Sequence, residues 1–302
     1  MTSQRAAVIG LGSMGLGMAQ SLIRGGFTVT GFDVATAAGE RLAQSGGRVA
    51  ASPAEAAHDA HSVIAAVVNA AQTEAVLFGP DGCAESMPEG AVFISSATMA
   101  PEMARSLCAR LETGGRHFLD APMSGGAARA ADGSLTMMAS GSEAAFACAR
   151  PALDALCGTL YELGAEAGQG AAFKMVNQLL AGVHIAAACE AIAFAARQGL
   201  DLARVYEVIT RSAGSSWMFE NRIPHVLEGD YSPKSAIDIF TKDLGIVLDM
   251  AREAQFPVPI AGAALQMYLM TAAAGMGRDD DSSVARLYAQ LAGLKLPAKE
   301  PA

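Results

Sequence analysis

Three short stretches of this chain carry residues whose types and spacing can do chemistry. The first is Gly10-Leu11-Gly12-Ser13-Met14-Gly15, a G-x-G-x-x-G run between a strand-like segment, residues 6–10, and a helix-like one, residues 16–24. In such a setting the first glycine makes the tight turn, the second lets a pyrophosphate approach the backbone, and the third lets helix pack on strand. The phosphates then sit on the free N–H groups and positive dipole end of the helix. A second strand-like run ends in Asp33, 18 residues beyond Gly15, close to the roughly 20-residue spacing of the acid that hydrogen-bonds an adenosine ribose. Together these predict a dinucleotide site. The Asp33 carboxylate would repel a 2′-phosphate, and Val34, Ala35 and Thr36 supply no arginine to neutralise one, which favours NAD over NADP.

The second stretch surrounds Lys174. Of the five lysines, Lys234, Lys295 and Lys299 fall in a loop and the tail, where a solvated charge explains them, whereas Lys174 lies between Ala171-Ala172-Phe173 and Met175-Val176. Apolar surroundings disfavour the charged form of an amine. Lys174 therefore reads either as a proton donor and acceptor or as a lysine that snorkels from a helix end. The third stretch, Asp120-Ala121-Pro122-Met123-Ser124-Gly125-Gly126, offers a hydroxyl and two unshielded backbone N–H groups. It reads as a nest for a carboxylate or as a plain glycine-rich turn.

The elements that must position these groups change character along the chain. Up to about residue 162, β-branched runs at 6–10, 27–33, 62–68, 91–95 and 117–120 alternate with Ala-rich helical stretches, one opened by Ser52, Pro53 and Glu55 as N-cap, first-turn proline and capping-box acid. Such alternation predicts a parallel sheet with helices on both faces. After Gly168 the pattern is helical: residues 169–198, 202–212, 240–255, 259–275 and 283–291. The first of these would extend about 45 Å, and its apolar residues on nearly all faces predict a central helix packed on every side, with His184 in the core. The fold class is thus α/β, an N-terminal Rossmann dinucleotide-binding domain over 1–164 plus an all-α C-terminal domain over 165–302, joined by a long central helix.

The 302 residues carry a net charge of −9 and no Lys/Arg run, so no field draws in nucleic acid. Cys83, Cys108, Cys148, Cys157 and Cys189 are scattered without a C-x-x-C, and no His/Asp/Glu cluster has ligand spacing, so neither a disulfide framework nor a metal site is expected. The N-terminus shows no signal pattern, and His184 and Glu190 interrupt the most apolar stretch, so a protein of the cytoplasm with no membrane span is expected.

Four blocks, in order, resemble the β-hydroxyacid dehydrogenase family, which includes 3-hydroxyisobutyrate dehydrogenase, over essentially the whole chain. They are Gly10 to Gly15 with Met18-Ala19, Asp120 to Gly126 with Gly133-Ser134-Leu135-Thr136, Gly168-Gln169-Gly170 leading to Lys174, and Lys242-Asp243-Leu244. The resemblance implies a catalytic Lys174, substrate carboxylate binding by Ser124, Gly125 and Gly126, and Asn69, Thr98 and Lys242 in the cofactor and substrate region. The family commonly has asparagine four residues after the lysine. This chain has Gln178 there, preceded by Asn177, and Gln178 as a substrate clamp reaches one methylene further. The strings 69–74, 177–184 and 217–222 look most like the L-threonate dehydrogenase branch, which acts on a four-carbon sugar acid. The implied protein is an NAD-dependent dehydrogenase of a small hydroxy acid, working as a homodimer or homotetramer. A semialdehyde reductase or an imine reductase on the same scaffold, and a non-catalytic NAD-binding scaffold protein, are the rival readings. Asp33 and Lys174 count against them.

Overall fold

The structure is a computed structural model that describes residues 4–299. It divides into two compact units, Met1–Lys174 and Met175–Ala302.

The first unit is built on a six-stranded parallel sheet of β1 (Arg5–Ile9), β2 (Thr28–Phe32), β3 (Arg48–Val49), β4 (Ser62–Ala65), β5 (Val92–Ser95) and β6 (His117–Asp120), in the order β3-β2-β1-β4-β5-β6. Its strands are buried on both faces, as helices on either side of a parallel sheet require. Ala6 and Val8 of β1 join one apolar core with Ile64, Val92 and Ile94, while Ala7 and Ile9 join the other with Val63, Ala65 and Phe93. Helices α1 (Ser13–Arg24), α2 (Thr36–Gln44), α3 (Pro53–Ala57), α4 (Ala70–Phe78) and α5 (Pro101–Glu112) connect the strands. The start of α3 is the expected capping box: Ser52 Oγ accepts from Glu55 N at 3.1 Å, and Glu55 Oε2 accepts from Ala51 N at 2.7 Å.

Beyond β6 lies a feature that the hydrophobic pattern did not predict, a second sheet. Its strands β7 (Met123–Ser124), β8 (Leu135–Ala139) and β9 (Cys157–Glu162) alternate with α6 (Gly126–Asp132) and α7 (Glu143–Leu156). β7 has two residues, and β9 lacks buried residues along its length, so neither shows the apolar signature of a core strand. A single antiparallel bridge ties the sheets together: Asp120 N donates to Ser140 O at 3.0 Å, and Ser140 N donates to Asp120 O at 2.8 Å.

Helix α8 (Gln169–Arg197) starts in the first unit and runs into the second. The second unit continues with α9 (Leu202–Ile209), α10 (Trp217–Glu228), α11 (Ile237–Glu253), α12 (Pro259–Thr271) and α13 (Val284–Ala292). Pro224 inside α10 masked that helix in the sequence. The core of this unit gathers Ile185, Cys189 and Ile192 of α8 with Ile223, Leu244, Tyr268 and Val284. Beneath it, the buried Arg222 Nε donates to Asp281 Oδ1 at 2.6 Å.

Two expectations about α8 are corrected. The helix is not packed on every side, because Phe173, Val176, Leu180, Ala187, Ala191 and Phe194 form one exposed stripe along it. His184 sits in that stripe and is exposed rather than a core residue. Composition alone could not distinguish an apolar residue facing the core from one left facing outward.

Candidate active site

In the first unit the glycine fingerprint has the geometry its spacing predicts. Gly10 has φ +89°, and a Cβ there would fall 2.7 Å from Ala66 O of the loop after β4. A Cβ on Gly15 would fall 1.8 Å from Gly10 O, so the first turn of α1 can lie on the loop only because that residue is glycine. At Gly12 no protein atom lies within 4 Å of where a Cβ would be. Packing therefore does not demand glycine at that position, whereas a ligand approaching the backbone does. Ser13 and Met14 open α1, whose N-cap Gly12 makes no side-chain bond and whose first turn has no acid. Ser52, Asn69, Ser142, Asp201 and Ser216, by contrast, each cap their own helices. An uncapped, acid-free helix start at the β1/β4 topological switch point suits an anionic dinucleotide.

Asp33, just past β2, faces this loop. Its Oδ2 accepts from Leu11 N at 2.6 Å and its Oδ1 accepts from Ala35 N at 2.8 Å, which fixes the carboxylate beside the glycine turn. Asn69 is the N-cap of α4, and its Oδ1 is committed to Gln72 N at 2.9 Å. Thr98 is half-buried in the loop between β5 and α5.

The same unit holds the turn expected to bind a carboxylate. Ser124 ends β7, and Gly125 and Gly126 follow with φ of +135° and +75°, a backbone path that glycine adopts without strain. Helix α6, which begins there, is fastened to α1: Ser21 Oγ lies 3.0 Å from both Ala130 O and Ala131 O, and Gly17 allows the two helices to touch. The Lys174 side chain is buried, and its Nζ donates to Met123 O at 2.8 Å. The amine is therefore held at the residue that precedes Ser124.

Asp120 has a larger part than its place in the sequence implied. Its Oδ2 accepts from Gly168 N at 2.9 Å, from Ala171 N at 2.8 Å and from Ser140 Oγ at 3.4 Å, while Ser140 Oγ accepts from Gly170 N at 2.9 Å. Its Oδ1 is buried without a hydrogen-bond partner. Burial pushes the carboxyl up to about 6, against the pull of these donors and of Arg105.

In the second unit, Gln178 and Asp243 are buried and joined, Gln178 Nε2 donating to Asp243 Oδ2 at 2.5 Å. Gln178 Oε1 accepts from Asn177 Nδ2 at 2.9 Å, and Lys242 Nζ forms an ion pair with Asp243 Oδ1 at 2.5 Å. Asn177, Gln178, Asp243 and Lys242 thus form one continuous polar chain. Of the aromatics in this unit, Phe219 and Phe240 are core residues, whereas Trp217 is exposed.

A glycine fingerprint at the switch point of a six-stranded parallel sheet, with a buried lysine held at Met123, is the build of a dinucleotide-dependent oxidoreductase. Comparison with known proteins makes the class specific. Residues 5–164 match the NAD binding domain of 6-phosphogluconate dehydrogenase, and residues 168–288 match the NAD-binding family of NADP-dependent 3-hydroxyisobutyrate dehydrogenase. The chain is 52% identical to L-threonate dehydrogenase of Cupriavidus necator, over 98% of this chain and 99% of that one. It is 31% identical to mitochondrial 3-hydroxyisobutyrate dehydrogenase of Rattus norvegicus, over 91% and 84%. A crystal structure of 3-hydroxyisobutyrate dehydrogenase from Salmonella typhimurium superposes with a TM-score of 0.90 at 46% identity, covering 94% of this chain and 100% of that one. The chain belongs to the 3-hydroxyisobutyrate dehydrogenase-like family of β-hydroxyacid dehydrogenases, and it is a hydroxyacid dehydrogenase with an NAD(P)-binding domain.

The raised Asp120 pKa predicts the sign of a pH effect on stability. The folded protein holds this proton more tightly than the unfolded chain, so the contribution of Asp120 to stability is full below about pH 4 and is lost as pH rises through 6. Asp120→Asn should remove that slope, which amounts to at most about 1.4 kcal/mol per pH unit. Urea denaturation from pH 4 to 7 measures it, and parallel curves for both proteins would contradict the assignment.

Proposed function

We propose that this protein is an NAD-dependent dehydrogenase that oxidises L-threonate, a four-carbon sugar acid, to its 2-oxo acid. The observation that carries the reading is the bond from Lys174 Nζ to Met123 O, which places the amine next to the Ser124-Gly125-Gly126 turn. The identity to L-threonate dehydrogenases supports the choice of substrate.

The chemistry of each group follows from its position. The Ser124 hydroxyl and the N–H groups of Gly125 and Gly126 bind the substrate carboxylate and so fix which carbon faces Lys174. The Lys174 amine accepts the proton of the substrate hydroxyl as the carbon gives up its hydride. Its bond to Met123 O leaves the nitrogen little freedom to wander from that proton. Gly10 to Gly15 would hold the phosphates of the dinucleotide and Asp33 its ribose, and the bound nicotinamide would supply the hydride acceptor. Thr98 and Asn69 contribute to that binding region. Gln178 and Lys242, which family resemblance marks as substrate and cofactor residues, lie in the helical unit. Asp243 draws on the charge of Lys242 and orients the amide of Gln178, so both act as directed donors rather than as a diffuse positive field.

Lys174→Ala should lower kcat by about 10²- to 10⁴-fold, the usual worth of a positioned acid-base group, with NAD affinity nearly unchanged. Steady-state rates on L-threonate and other C3 and C4 hydroxy acids, read at 340 nm with NAD and NADP, test both the residue and the substrate; near-normal turnover would remove Lys174 from the mechanism. Asp33→Ser should narrow the preference for NAD, because it removes the charge that opposes a 2′-phosphate. NADP proving the better cofactor of the unmodified protein would refute the role given to Asp33.

The exposed stripe of α8, with Phe173 54%, Val176 63%, Leu180 49% and Phe194 65% accessible, reads as the face that a second copy of the chain covers. Light scattering after gel filtration should give a dimer or tetramer, and Phe194→Asp should shift it towards monomer. A monomeric unmodified protein would exclude this reading.

A further inference from the structure

We propose that Asp120 is a positioning residue for the reaction: its carboxylate anchors the first turn of α8 to the β6 edge, in the register that sets the Lys174 amine against Met123. The inference rests on the catalytic reading of Lys174 and adds to it the group that holds the lysine in place.

A helix start leaves its first N–H groups without intrahelical acceptors, and an N-cap side chain ordinarily accepts from one of them. The residue before α8 is Gly168, which has no side chain and adopts φ +99°. The capping function passes to residues far away in sequence. Asp120 takes the amides of Gly168 and Ala171, and Ser140, its backbone partner in the bridge between the two sheets, takes that of Gly170. The helix start is also held sterically, since a Cβ on Gly170 would fall 2.3 Å from Met138 O and 2.8 Å from Asp120 O. Lys174 follows Ala171 by three residues, on the same side of the helix. Met123 follows Asp120 by three residues on the other segment. Both partners of the Lys174–Met123 bond are thus referenced to one buried carboxylate, and slackening that anchor displaces the amine relative to the nest. Misplacing a catalytic group by about 1 Å can cost about 100-fold in rate.

The test compares Asp120→Ala, Asp120→Asn, Ser140→Ala and Lys174→Ala in the full-length enzyme. Asp120→Ala should lower kcat by up to about 100-fold with the KM for NAD little changed. Amide hydrogen exchange in residues 168–173 should quicken by about tenfold, the worth of a lost cap, while exchange in β1 and β2 stays as it was. Asp120→Asn, whose amide oxygen can accept the same two backbone bonds, should restore most of kcat, a rescue that general loss of stability would not give. Should Asp120→Ala fail to fold, Ser140→Ala, which removes the Gly170 acceptor and the 3.4 Å hydroxyl bond to Asp120 but leaves both amide bonds of the carboxylate, should show a smaller change of the same kind in both measurements. Unchanged exchange at residues 168–173, or quickened exchange with unchanged kcat, would overturn the proposal. Near-normal turnover of Lys174→Ala would overturn instead the reading it rests on, and the exchange data would still decide whether Asp120 anchors the helix.

Discussion

One buried carboxylate ties together three parts of the first unit. Asp120 ends the last strand of the parallel sheet, pairs its backbone with Ser140 of the second sheet, and accepts the opening amides of α8. Those connections join the dinucleotide-binding sheet and the second sheet to the start of the lysine-bearing helix, which lies 48 to 51 residues further along the chain. An ionised carboxylate in such a place costs desolvation energy, which is why its proton affinity rises. The two backbone N–H bonds and the Ser140 hydroxyl offset part of that cost, and they would have no acceptor without it.

Helix ends divide the labour of binding in this unit. Helices α3 and α7 are closed by the side chains of Ser52 and Ser142. The end of α1 carries neither a capping side chain nor an acid, the arrangement that suits an anion. Helix α8 is a third case, in which a distant part of the fold supplies the cap. Glycine enters all of these for different reasons: a left-handed turn at Gly10, near-contact of helix and loop at Gly15, and near-contact of helix and strand at Gly170.

Local signals in the sequence were read well. The five β-branched runs correspond to β1, β2, β4, β5 and β6, the Ser52 capping box formed, and the long helix begins at Gln169. Each of those features involves neighbours within a few residues. What escaped notice was set by distance along the chain or by exposure. Asp120 finds its partners 20, 48 and 51 residues away, so nothing near it in sequence marks it as a cap. The strands β7, β8 and β9 lack the pattern of a two-sided core. His184 looked like a core residue because the helix around it is apolar, yet the stripe that contains it faces outward. At the candidate site, residue type and family resemblance single out Lys174 and Ser124, and the bond from Lys174 to Met123 brings the two close, whereas the bonds of Asp243 to Gln178 and Lys242 leave no mark in the sequence.

The polar chain from Asn177 through Gln178 to Asp243 and Lys242 bears on how such a site can change by mutation. Shortening Gln178 to asparagine withdraws its amide by a methylene from an acceptor 2.5 Å away, while changing Asp243 removes the acceptor of that amide and one partner of the Lys242 ammonium. The length of residue 178 thereby governs how the carboxylate of Asp243 is shared between an amide and an ammonium, so a change of side chain there is felt at Lys242 as well.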